Sequence, residues 1–169
     1  MSKAFTLIEL LVVLAIITVL TAITVPNYRG GDKQLALQRS ASKLAQDLRR
    51  AQEMSMSAKE VSGAIPYGFG IYFNSASPNN YIIFADLDNS HHRNAGDADL
   101  ETIALELNIR ISALSPVSSF SILFAPPDPT VWINRLSSGV TAAITLGIIG
   151  DAISNQIISA NNAGLIAIE

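Results

Sequence analysis

The sequence predicts an α+β protein, with a long helical region first and a domain of β-strands after it. Three observations carry this reading. The run from Phe5 to Tyr28 is almost wholly apolar and holds one charged residue, Glu9. From Asp32 to about Lys59, Leu37, Ala41, Leu44, Leu48 and Ala51 recur at helical spacing. After Gly63 the period changes to short aromatic and β-branched runs separated by turn residues. Helices followed by strands, rather than alternating with them, define the class.

The first run sets the organisation. As a helix rising about 1.5 Å per residue it spans roughly 36 Å, enough for a hydrocarbon core of roughly 30 Å. A carboxylate in such a segment is costly, so Glu9 is a candidate functional residue whose partner must be sought. Lys3, the only charged side chain of Met1 to Ala4, holds that end in the cytoplasm and places the bulk of the chain outside the inner membrane. Tyr28 and Arg29 stand where an anchor meets the interface, suited to it or to packing on neighbouring helices. Pro26 removes a backbone donor and predicts a kink, and Gly30-Gly31 weaken the helix further.

Asp32 is suited to capping a second helical segment. Its apolar stripe predicts one buried face. Lys33, Gln38, Arg39, Lys43, Asp47, Arg49, Arg50 and Glu53 predict a solvated one, with Asp47 and Arg50 as an i,i+3 pair.

In the second half, strands are predicted at Gly68–Phe73 and Tyr81–Phe84, joined by a turn at Ser77-Pro78-Asn79-Asn80. Further strands are predicted at Ile103–Ile111, Phe120–Ala125 and Val131–Ile133. Pro126-Pro127-Asp128-Pro129 is a turn or extended connection. The Val140–Ile149 run is too short to cross a membrane and reads as a buried strand. Gln156–Ala160 and Leu165–Ile168 frame a final hairpin. The division is therefore residues 1–4, 5–28 (transmembrane helix), 29–60 (amphipathic helix) and 61–169 (β-domain).

Composition narrows the function. The chain has 169 residues, 49% hydrophobic, with a formal net charge of −3 spread along its length. Phosphate binding wants a clustered basic face, so this balance speaks against nucleic acid. Absence of cysteine excludes disulfide and thiolate chemistry. No nucleophile constellation, P-loop or zinc spacing stands out, and the reading is non-enzymatic. His91 and His92 are adjacent and point apart, which favours a plain polar loop. Asp86, Asp88 and Asn89, with the acids from Asp97 to Glu101, offer oxygen ligands of the kind calcium takes, but EF-hand spacing is absent and a solvated loop is expected.

Lys3-Ala4-Phe5-Thr6-Leu7-Ile8-Glu9 closely resembles the processing site of type IV prepilins and type II secretion pseudopilins. Ala4 keeps a small residue where that family usually has Gly. The resemblance implies cleavage after Ala4 by a prepilin peptidase, methylation of the Phe5 amine, a role for Glu9 in assembly, and a helix that is first an anchor and then filament core. It implies the pilin fold, with the helix packed on an antiparallel β-domain, often of two facing sheets. It also implies partners: other subunits, the inner membrane and an assembly platform protein. Stretches at Leu44–Gln52, Tyr81–Asn89, Phe120–Phe124 and Gly164-Leu165-Ile166 resemble, loosely in spacing, the minor pseudopilins of the GspH/FimT type. Some pseudopilins bind calcium, although those best matched here are not the calcium-dependent major type; no other cofactor is implied.

Three other readings compete. An ordinary secretory signal finds only a poor cleavage site at Thr21–Pro26. A DNA-binding minor pilin of an uptake pilus would carry basic residues in the last hairpin, and Ser159–Glu169 has none. An anchored binding domain that never polymerises leaves Glu9 unexplained.

Overall fold

In the computed structural model, residues 5–57, 59–61, 63–126 and 130–169 are described, with 24–30 described by backbone alone. The leader Met1–Ala4 and residues 127–129 of the 126–129 proline stretch therefore lie outside the described residues.

The two helical segments are halves of one long helix, α1 (Leu7–Met56), as the implied fold has it. Its N-cap is Thr6 rather than Asp32, and helical backbone continues through Pro26 and Gly30-Gly31. Asp32 is not needed as a cap, because a helix begun at Leu7 propagates at the cost of one lost donor and two weak residues. The stripe behaves as its spacing requires. Leu37, Leu44, Leu48 and Ala51 are fully buried and Ala41 nearly so.

Among the described residues nine strands follow: β1 (Gly68–Asn74), β2 (Asn80–Asp86), β3 (Ala98–Ala104), β4 (Ile109–Ser115), β5 (Ser119–Ala125), β6 (Thr130–Ile133), β7 (Thr141–Ile148), β8 (Asn155–Asn161) and β9 (Ile166–Ile168). They form two antiparallel sheets, ordered β3-β2-β1-β5-β6 and β4-β7-β8-β9. α1 packs against both, and residues from the helix and both sheets join one apolar core. The fold is α+β, as the sequence predicts.

The expected single strand at Ile103–Ile111 is corrected to two strands in different sheets. β3 ends at Ala104, and the chain turns through Asn108 in the left-handed region (φ 67°) before β4 begins at Ile109. Asparagine tolerates that conformation, so the apolar run conceals a crossover.

Along β1, β2 and β5 alternate residues face opposite ways. Phe69, Ile71, Phe73, Tyr81, Ile83, Phe120, Ile122 and Phe124 enter the shared core. Phe84 and Leu123 are equally buried but lie outside that core cluster. Both flank Gly70, where a Cβ would fall 2.5 Å from the Ile122 carbonyl and 3.0 Å from the Phe84 ring. Glycine there lets the strands and the Phe84 ring close up.

The polar face of α1 is also corrected. Asp47 does not pair with Arg50; it is buried and accepts a hydrogen bond from the Tyr81 hydroxyl at 2.6 Å. Arg50 instead meets Glu101 of β3 at 2.9 Å, and Arg39 binds Glu106 through Nε and Nη2 at 3.0 and 2.9 Å. Helix side chains that looked free for solvent thus reach the β-domain. Helical spacing shows which residues share a face, but not which of them a neighbouring element covers.

Candidate functional site

Two places carry the residues singled out above. The first is the start of α1. Thr6 is extended (φ −82°, ψ 151°), and its hydroxyl accepts from the Glu9 N–H at 3.3 Å. Thr6 thus satisfies one of the backbone donors that a helix start leaves open. Thr6-x-x-Glu9 is a capping-box spacing, and an acid in the first turn suits the positive helix end. Apolar periodicity does not single out Thr6, but the Thr-x-x-Glu spacing is a signal that finds it.

Phe5 and Glu9 are both exposed, Phe5 at 80%. Beyond them the large apolar side chains from Leu7 to Ile23 are all strongly exposed, on every side of the helix. Ala4 lies outside the described residues. Pro26 lies within helical backbone, but its side chain is not described. Among the described residues, no helix is long and apolar enough to cross a membrane, and the described side chains of this run stop at Ile23.

The second place is the connection from β2 to β3. Expected as a solvated loop, it is instead folded over the outer face of the five-stranded sheet and organised by a buried carboxylate. Asp86, fully buried, accepts backbone N–H groups from Asp88, Ser90 and His91 at 3.2, 3.3 and 2.9 Å. Asp97 accepts from the N–H groups of Leu87 and Asn94 at 3.1 and 2.8 Å. Asp88 accepts from the Ser90 N–H and the Asn94 side-chain amide at 3.0 and 2.8 Å. Ligand atoms of Asp86, Asp88 and Asp97 lie within 4.8 Å of one another. Asn89, between Asp88 and Ser90, has its backbone in the left-handed region (φ 61°). Every carboxylate oxygen of the three acids already has an internal donor. Burial holds the Asp97 carboxyl above its ordinary pKa, against the pull of the Asn94 and Leu87 N–H groups. The Asn94 amide and then Ser90 hold Asp88 below its own. Such an arrangement folds a loop on its own.

The histidines point apart, as adjacency predicts. The His91 ring lies over Trp132 of β6, centroids 3.9 Å apart. The His92 ring meets the edge of Tyr72 at 5.9 Å, with Nδ1 3.2 Å from the Ser121 hydroxyl. Burial, then Arg135, holds His92 below the usual histidine pKa. Arg93 sits over the Tyr72 ring at 5.1 Å and grips Asp99 with two contacts of 2.6 Å.

Residues 1–25 match the family described as the prokaryotic N-terminal methylation motif. That match supports a type IV pilin-like subunit processed as a prepilin and assembled with other such subunits. It rests on the N-terminal segment and does not extend to the β-domain. No curated protein and no solved structure matches the chain.

Proposed function

We propose that the chain is a non-enzymatic filament subunit, cut by a prepilin peptidase between Ala4 and Phe5 and methylated on the new Phe5 amine. Before assembly, residues 5–28 hold it in the inner membrane as a single pass, with the β-domain outside the cytoplasm. An assembly platform protein then feeds it into a type II secretion pseudopilus or type IV pilus, where Pro26 marks the bend of the helix. Within this class we place it with the minor pseudopilins of the GspH/FimT type.

One observation carries the reading: the N-terminal methylation motif heads a helix whose large apolar side chains are exposed from Leu7 to Ile23. A bare apolar surface of this kind marks a membrane or protein partner. Glu9 gives it register. With the leader removed, Phe5 bears an ammonium at the apolar end of the helix. Each charge alone in lipid is costly, and pairing offsets much of that cost. Pairing between chains rewards a single axial stagger. Glu9→Ala should therefore still be cut and remain stable, yet enter filaments poorly. Co-purification with sheared filaments reads this, and normal incorporation would remove Glu9 from assembly.

A further inference from the structure

Each of the two sheets has two edge strands, and a strand edge offers backbone N–H and C=O groups to any extended chain that meets it. Among the described residues, β3, β4 and β6 close their edges. β3 shifts register between Ile83 and Phe84 and carries Asp99 and Glu101, held by Arg93 and Arg50. β4 gives its Ile109 and Ile111 N–H groups to the carbonyls of Glu106 and Pro78 at 3.0 and 2.7 Å. On β6 the Asn162 side-chain amide donates to the Val131 carbonyl at 2.8 Å, and Ile133 exchanges both backbone bonds with Leu136.

β9 is left open. Ile157 and Glu169 exchange backbone bonds at 3.0 and 2.8 Å, and the Asn161 N–H donates to the Leu165 carbonyl at 3.2 Å. Alternation along an antiparallel ladder then turns the N–H and C=O groups of Ile166 and Ile168 away from β8. Ile166 anchors the strand in the core, and neither charge, proline nor register shift blunts Ile166–Ile168. Beside this edge runs a groove lined by Arg49, Gln52, Glu53 and Met56 of α1 and by Leu165 and Ile166. Met56 is 63% exposed, Leu165 64% and Ile168 43%. Arg49 and Glu53 form no ion pair among the described residues.

We propose that the β9 edge takes an extended segment of a different filament subunit as a further strand of the four-stranded sheet. The chemistry of the edge names its occupant. Outward N–H and C=O groups on alternate residues match the backbone of another strand, and lipid cannot answer them. Beside that ladder the groove suits an aliphatic side chain, flanked by charges opposite to Arg49 and Glu53. A second copy does not supply the strand, because its other edges are closed. Pairing β9 with itself as an antiparallel two-fold ladder would turn α1 end for end, since α1 packs on that sheet across β4, β7, β8 and β9. The two N-terminal motifs would then point in opposite directions, against assembly in one filament. The inference rests on the filament-subunit reading above.

The full-length chain, expressed with its assembly system, is compared in detergent and in sheared filaments by amide exchange. Exchange at Ile166 and Ile168 should be fast in detergent and slow in filaments. Ile168→Pro removes an outward N–H, which an edge strand tolerates, whereas Ala167→Pro strikes a bond to β8. Ile168→Pro should therefore be cut and melt as the wild type does, yet be largely lost from filaments, while Ala167→Pro melts lower. Ile168→Ala, which keeps the N–H, should enter filaments better than Ile168→Pro. Unchanged exchange, normal entry of Ile168→Pro, or equal loss of both Ile168 variants overturns the proposal and leaves the filament reading standing. Slow exchange at both positions in detergent, with the chain self-associated, overturns it and assigns the edge to a second copy. Failure of the wild-type chain to enter filaments overturns the filament reading and the proposal with it.

Discussion

The Tyr81 hydroxyl donates to the Asp47 carboxylate at 2.6 Å, joining the middle of α1 to the second strand of the five-stranded sheet inside the core. A hydrogen bond to a charged group contributes about 1.5–3 kcal/mol, and removing the donor leaves a buried carboxylate unsatisfied. Tyr81→Phe should lower the unfolding free energy by that amount in chemical denaturation, while Asp47→Asn, which keeps an acceptor, should cost less. Burial first, and then Asp47, pushes the Tyr81 pKa well up. The hydroxyl therefore ionises more readily in the unfolded chain. Its contribution is full below about pH 10 and is lost as pH rises beyond it. Tyr81→Phe should flatten that alkaline loss.

Asp86 should behave as the organiser of its loop. Asp86→Ala strands the N–H groups of Asp88 and His91, while the Ser90 N–H keeps Asp88 as acceptor, and each unsatisfied buried group costs about 1–3 kcal/mol. Amide exchange at Asp88, Ser90 and His91 should speed up, with little change in β7 and β8. Because the three acids already have internal donors, calcium should leave the melting temperature of the native chain unchanged. A clear rise with calcium would show binding to the native state alone.

His92 is the first acid-sensitive point of the same loop to be met as pH falls from neutrality. Burial and Arg135 lower its pKa, with Arg93 acting the same way and Asp97 opposing them. The folded state favours the neutral ring, so its contribution is present above the ordinary histidine value near 6.5 and is lost as pH falls below it. Exchange of the 87–97 amides should rise on acidification, and His92→Gln should blunt the rise.

Ser40 and Leu44 test the buried face of α1 in opposite directions. The Ser40 hydroxyl is buried and has no hydrogen-bond partner among the described residues. Ser40→Ala should be neutral or stabilising, by up to about 1 kcal/mol. Leu44 is fully buried, and Leu44→Ala should cost about 2–5 kcal/mol. Thermal melts of the two variants should move apart.

What was legible in the sequence followed from periodicity. The Leu37–Ala51 stripe, the aromatic strands around Ile71 and Ile83, and the last hairpin all fall where spacing and turn residues put them. What was not legible depended on contacts between distant segments. Asp47 sits among charged neighbours and looks solvent-facing, but Tyr81, far along the chain, covers it. The Ile103–Ile111 run keeps its apolar character across a change of sheet, and only Asn108 betrays the turn. In the β2–β3 loop the acids were visible. Most of their partners, being backbone N–H groups, leave no mark in the sequence.

The intact mass of the membrane-extracted protein reads the processing of the N-terminal segment directly. A chain that has lost Met1 to Ala4 and gained one methyl group is the predicted result. A mature chain beginning near Asn27, or one that keeps its leader in cells with an active prepilin peptidase, would contradict it.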